Sequence, residues 1–175
     1  ITEENKKVAM WRDKSGNGFD VNQNLVSKQP KIKENKFGKY PGIRFDGEDD
    51  FFDFSKQIID SDEMTVIVYG IPEKTSDWAI LGKEKVGSGN EVVVGYYDKK
   101  YHLSVTDKIN FPNEEKVVDT DNQDASILNQ KVAITYIVKN HSNGSKITLL
   151  KDNVVKKVTN EHMSKLKIDT TDNWT

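Results

Sequence analysis

Strand-length runs of β-branched and aromatic residues, broken at short intervals by Gly, Asn, Asp and Pro, most narrow what this chain can become. Residues 64–70 read as a strand that Pro72 closes, because proline cannot donate to a ladder. Residues 78–82 form a second strand, and Gly87-Ser88-Gly89-Asn90 reads as a β-turn. Residues 91–97 and 101–106 make a hairpin about Asp98-Lys99-Lys100. A further hairpin joins 131–139 to 146–150 through a loop at 140–145, and the turn at 151–154 leads into a strand through Val158. Helical patterning is confined to 55–60 and 159–166, both too short for a βαβ crossover, which argues against a parallel sheet. The expectation is an all-β fold of antiparallel sheets.

The faces of these strands refine it. Along 131–139, Val132, Ile134, Tyr136 and Val138 alternate with Ala133, Thr135 and Ile137, so both faces are largely apolar. Such a strand is expected to be covered on both sides at the centre of a two-sheet sandwich. Tyr101, Leu103 and Val105 instead alternate with His102, Ser104 and Thr106, which gives one wet face. The 175 residues suit one domain spanning 1–175.

Charge and cysteine content limit the partners. Lys+Arg 26 against Asp+Glu 28 leaves no excess of basic charge to hold a phosphate backbone, so nucleic acid is not an expected partner. No apolar stretch approaches the roughly 20 residues of a membrane-spanning helix, so membrane insertion is not expected. Without cysteine there is no disulfide, thiolate metal site or cysteine nucleophile. Ile1 is not an initiator Met and no signal-peptide pattern follows it, so the expectation is a mature product or an excised module of a longer protein.

The first fifty residues carry the most specific pattern. Trp11-Arg12-Asp13-Lys14-Ser15-Gly16-Asn17-Gly18 is followed by Ile43-Arg44-Phe45-Asp46-Gly47. This resembles the laminin G-like (LamG) branch of the concanavalin A-like lectin/glucanase superfamily, in which a W-x-D-x-S-G-N-G turn precedes a V-R-F-D-G strand and turn. Residues 64–69 are similar to its "fT-V-x-V-W" strand, and Ile80-Leu81-Gly82 to its "x-I-L-G-k" strand. The turn at Asp152-Asn153-Val154 lacks the glycine usual there. The resemblance implies a two-sheet antiparallel jelly-roll sandwich lacking its C-terminal closing strands in this chain. It also implies that Trp11, Phe45, Phe51 and Phe54 are core residues.

What the resemblance implies for function is a non-catalytic carbohydrate-binding or adhesion module of an extracellular, cell-surface or virion protein. Its partners would be a glycan or cell-surface polysaccharide, together with remaining strands or domains of the same protein. The alternative is a structural or assembly domain without a glycan site, as in a phage tail or surface protein. A glycosidase ranks below both, because the E-x-D-x-x-E pattern of the catalytic relatives is missing. The acidic run 46–50 falls in a turn, where neighbouring side chains diverge, and reads as a solvated turn. His102, His141 and His162 have no nucleophile or metal spacing around them.

Two kinds of site remain open. Aromatic stacking residues for a sugar are Trp78, Tyr96, Tyr97 and Tyr101, with His102 beside them. Calcium (Ca2+) is the cofactor that oxygen-rich loops would take, with Asp13 and Asn17 in one loop and Asp119 and Asp121 in another. The competing reading of the Asp13 loop is an Asx-type turn, in which Asp13 and Asn17 bond nearby backbone amides.

Overall fold

A computed structural model describes residues 6–54, 56, 58, 63–74, 78–84, 91–97, 99–106, 115–119, 128–142 and 144–161. Among them the chain is all-β, in antiparallel sheets with one 3-10 turn at Val26–Lys28. No described helix is long and apolar enough to cross a membrane. The chain divides into two compact units, Ile1–Ile58 with Asn173–Thr175, and Ile59–Asp172.

The first unit is built from short pieces. Strands β1 (Met10–Trp11), β2 (Val21–Asn22) and β5 (Asp53–Phe54) form one small sheet, and β3 (Lys31–Phe37) pairs with β4 (Tyr40–Arg44) as a hairpin. Gly38, at φ 72, takes the left-handed position in the β3–β4 turn. Gly42 lets the Phe37 ring lie against the backbone, where a Cβ would come within 2.8 Å of it. The core expectation fails here for two residues. Trp11 is 53% exposed and Phe45 is 43% exposed, while Phe52 is buried and takes the Phe45 ring edge-on at 5.7 Å. Phe51 and Phe54 are half-buried. Trp11 lies on β1, which has only two residues, and Phe45 lies just past the end of β4.

The second unit holds the longer strands. β7 (Trp78–Glu84), β8 (Glu91–Tyr97), β9 (Lys100–Thr106) and β10 (Glu115–Asp119) form a four-stranded meander. A second four-stranded sheet has the order β13-β12-β11-β6, from β6 (Met64–Gly70), β11 (Val132–His141), β12 (Gly144–Lys151) and β13 (Val154–Glu161). The two sheets share an apolar core of Val92, Val94, Tyr96, Tyr101 and Leu103 against Val132, Ile134, Tyr136, Val138, Ile147 and Leu149. At its centre the buried Tyr136 hydroxyl donates to the Gly95 carbonyl at 2.9 Å, crossing from one sheet to the other. Burial there pushes the Tyr136 phenol well above its ordinary range, so it stays a neutral donor.

The turns are tighter than the loop residues suggest. Tyr97 pairs with Lys100, so the β8–β9 connection is the two residues 98–99, and Lys100 belongs to the strand. His141 pairs with Gly144, which shortens the expected loop in the same way. Between β12 and β13, Asp152 and Asn153 both have positive φ, 50° and 65°, as a two-residue hairpin turn of the primed type demands. That conformation, which Asp and Asn tolerate, explains how the turn forms without glycine. Residues 159–161 are strand rather than helix, and the remainder of both helical candidates, apart from Lys56 and Ile58, lies outside the described residues. Asn173-Trp174-Thr175, where closing strands would begin, lies outside them too.

One expectation is met unevenly. The central strand β11 is more fully covered on one face than on the other: Ile134, Tyr136 and Val138 are buried, whereas Ala133, Thr135 and Ile137 are half-buried. An apolar residue can occupy a half-exposed sheet face without penalty severe enough to forbid it, so composition alone did not decide coverage. Replacing Tyr136 with Phe strands the buried Gly95 carbonyl, and Tyr136→Phe is expected to cost about 1–3 kcal/mol in denaturant unfolding.

Candidate functional site

Pleating decides which hairpin residues can meet a ligand. Tyr96 and Tyr97 are neighbours on β8 and so leave opposite faces of the sheet, as do Tyr101 and His102 on β9. Tyr96 sits opposite Tyr101 in the ladder, and both turn into the core, 2% and 1% exposed, with ring centroids 5.7 Å apart at 69°. Neither can stack on a ligand, which corrects both assignments. Trp78 pairs with Tyr96 in the β7–β8 ladder, and its side chain lies outside the described residues.

Tyr97 and His102 stay on the outer face. Tyr97 is 56% exposed, His102 is half-buried, and their rings are 5.7 Å apart, tilted at 49°. Their ladder neighbours complete the surface. Lys100 is opposite Tyr97, while His102 lies between Gly95 on β8 and Asp119 on β10. Gly95 adds no side chain to this row. The sequence placed Asp119 with the calcium candidates, yet the register puts it at His102. Its side chain, and all of Asp121, lie outside the described residues.

The Asp13 half of the competing reading is what the loop shows, while Asn17 takes part through its backbone. The Asp13 carboxylate accepts the Ser15 N–H at 2.8 Å, the Ser15 hydroxyl at 2.6 Å and the Phe19 N–H at 3.1 Å. Ser15 Oγ accepts the Asn17 N–H at 3.2 Å, and Asp20 accepts the Asp13 N–H at 2.8 Å. Gly16 and Gly18, at φ 86 and 70, let the chain curl so that these amides converge. Donation by the Ser15 hydroxyl and then by backbone amides lowers the Asp13 pKa to about 2. A cation is already present: Lys56 Nζ donates to the Asn17 carbonyl at 2.5 Å and lies 4.7 Å from the centre of the Phe19 ring. The Asp13 carboxylate thus serves the turn.

The 46–50 turn repeats this logic with a buried partner. Asp46 accepts the amides of Glu48, Asp49 and Asp50, led by Glu48 at 2.9 Å, and these lower its pKa. Asp46, Asp49 and Asp50 bring carboxylate oxygens within 4.8 Å of one another. The side chain of Asp50 is 2% exposed, accepts the Asp46 N–H at 3.1 Å and meets Lys7 Nζ at 3.4 Å. Lys7 also donates to the carbonyls of Gln29 at 2.5 Å and Ser27 at 3.1 Å. The turn is therefore only partly solvated. Buried Gln23 and Gln29 extend the polar knot, with Gln29 Nε2 donating to the Gln23 carbonyl at 2.8 Å. None of these long-range polar links has a local sequence signal, because their members lie far apart in the chain.

No family model, curated protein or solved structure matches the chain.

Two outcomes follow from the loops. Because folding holds Asp13 below its unfolded value of 3.8, the stability it contributes is present above about pH 4 and lost as pH falls toward 2. An NMR titration of the Asp13 carboxyl should have its midpoint near 2, whereas a midpoint near 4 would show that the turn amides do not engage it. Lys7→Met, which leaves the Asp50 carboxylate buried without its cation, should destabilise the chain by about 1–3 kcal/mol in chemical denaturation, against less than about 0.5 for an ordinary surface lysine.

Proposed function

We propose that this chain is a non-catalytic carbohydrate-binding or adhesion module, built as a concanavalin A-like jelly roll and acting outside the cell, at a cell surface or on a virion. The observation that carries the reading is the exposed Tyr97 ring beside His102 on the outer face of the β8–β9 hairpin. An aromatic face can stack on the C–H groups of a sugar ring, and an imidazole beside it can hydrogen-bond the sugar's hydroxyls. His102 lies 5.7 Å from the Tyr97 ring on the same face, and Lys100 is the ladder partner of Tyr97. The antiparallel two-sheet core and the Trp11 to Gly18 and Ile43 to Gly47 motifs also support the reading.

A structural or assembly role is the second reading, and the half-exposed apolar face of β11 and β6 favours it. An array of polysaccharides and glycans, probed with and without calcium, separates the two. The expected result is binding that Tyr97→Ala weakens about tenfold or more and Tyr97→Phe largely retains. Tyr69→Ala, which removes an exposed ring from the other sheet, should leave it unchanged. Absence of any bound glycan, or binding indifferent to Tyr97→Ala, would contradict the glycan site, and turnover of a bound glycan would contradict the non-catalytic reading.

A further inference from the structure

An asparagine followed by glycine is open to attack on its own side chain, because glycine has no Cβ to shield the main-chain nitrogen that comes next. The chain has two such pairs, Asn17-Gly18 and Asn143-Gly144. Asn143 lies outside the described residues, whereas Asn17 and Gly18 are both exposed in the Asp13 loop. The main chain of Asn17 is held there from two sides. Its N–H donates to Ser15 Oγ at 3.2 Å and its carbonyl accepts Lys56 Nζ at 2.5 Å. Among the described residues the Asn17 side-chain amide has no hydrogen-bond partner, and neither has the Gly18 N–H.

Lys56 adds something that the dipeptide alone does not carry. Its ammonium bonds the oxygen of the peptide group whose nitrogen belongs to Gly18, and it lies 3.7 Å from the place a Cβ on Gly18 would take. When the Gly18 N–H gives up its proton, the negative charge is shared with the Asn17 carbonyl oxygen. A cation hydrogen-bonded to that oxygen favours the charged form, so the nitrogen becomes a nucleophile more readily. Gly18 sits at φ 70, which glycine adopts at no steric cost, so the turn itself requires the unshielded residue.

We propose that Asn17 is a site of spontaneous self-modification, deamidated through attack by the Gly18 nitrogen and promoted by Lys56. Hydroxide removes the Gly18 amide proton, and the nitrogen forms a bond to Asn17 Cγ. The bond from Cγ to the side-chain nitrogen breaks, and that nitrogen takes a proton from water and leaves as ammonia, restoring hydroxide. Water then opens the five-membered succinimide at either carbonyl, which gives aspartate or isoaspartate at position 17. Both products add one negative charge to the loop. In isoaspartate the main chain also runs through Cβ and Cγ, one atom longer than before. The added length draws the Phe19 N–H away from the Asp13 carboxylate that it now reaches at 3.1 Å.

The test is ageing of the full chain at mildly alkaline pH, followed by mass spectrometry of the tryptic peptides 15–28 and 140–146 with fragmentation that separates aspartate from isoaspartate. Fragmentation also assigns the change to Asn17 rather than to Asn22 or Asn24 of the same peptide. The expected result is conversion of Asn17 in the folded chain, slowed about threefold or more by Lys56→Met and largely restored by Lys56→Arg, which keeps a cationic donor. Asn143 in the same samples should be indifferent to both changes. In concentrated urea, the parent and Lys56→Met chains should convert Asn17 at equal rates. An Asn17 that stays intact in the folded chain while the unfolded chain converts overturns the proposal. So does a Lys56→Met chain that converts Asn17 as fast as the parent or faster, and so does a slowing shared equally by Asn143.

Discussion

The alternation of side chains across a pleated strand is the constraint on which the rest of this structure depends. Because Tyr96 and Tyr101 are ladder partners on the core side, the residues next to them, Tyr97 and His102, are sent to the outside. The same rule places Tyr136 inward on β11, where its hydroxyl reaches the Gly95 carbonyl of the opposite sheet. Gly95 therefore works in two directions. Its carbonyl bonds the core tyrosine, and its lack of a side chain leaves space beside His102 on the outer row. Core and candidate site are the two faces of one hairpin, so a change of register by one residue would exchange them.

The first unit is organised by a different balance. It buries Gln23, Gln29 and the Asp50 side chain along with Phe52, and its turns are held by carboxylates that accept backbone amides. Each of its two acidic turns is matched by a lysine from elsewhere in the chain, Lys56 at the Asn17 carbonyl and Lys7 at Asp50. In both turns the carboxylate accepts several N–H groups of its own loop. The calcium-like spacing of Asp13, Ser15 and Asn17 is thus explained by turn formation: oxygen-bearing side chains at alternate positions also fold a loop back on its own amides.

Much of the second unit was legible in the sequence, because β-branched runs such as 64–70 and 131–139 have no other comfortable conformation. The turns were placed correctly but drawn too long, since a polar residue such as Lys100 or Asn140 is as compatible with a strand end as with a loop. In the hairpin of Lys31–Phe37 with Tyr40–Arg44 only Ile43 and Arg44 carried a strand signal, through the resemblance; the rest is rich in lysine and is stabilised by its Gly38 turn and the Phe37–Gly42 contact. At the candidate site the sequence grouped Tyr96, Tyr97, Tyr101 and His102 as one platform. Period-two alternation would have divided that group in two, and only the identity of the inward pair required the structure. The pairing of His102 with Asp119 was beyond sequence reading, because it depends on the register of β9 with β10.

The central claim is that the β8–β9 hairpin divides its aromatic residues between a buried core and an exposed face. Side-chain NMR in the presence of a soluble paramagnetic agent measures that division directly. The account predicts strong broadening of the Tyr97 ring and detectable broadening of His102, with Tyr96, Tyr101 and Tyr136 spared. Broadening of Tyr96 or Tyr101 as strong as that of Tyr97 would contradict it.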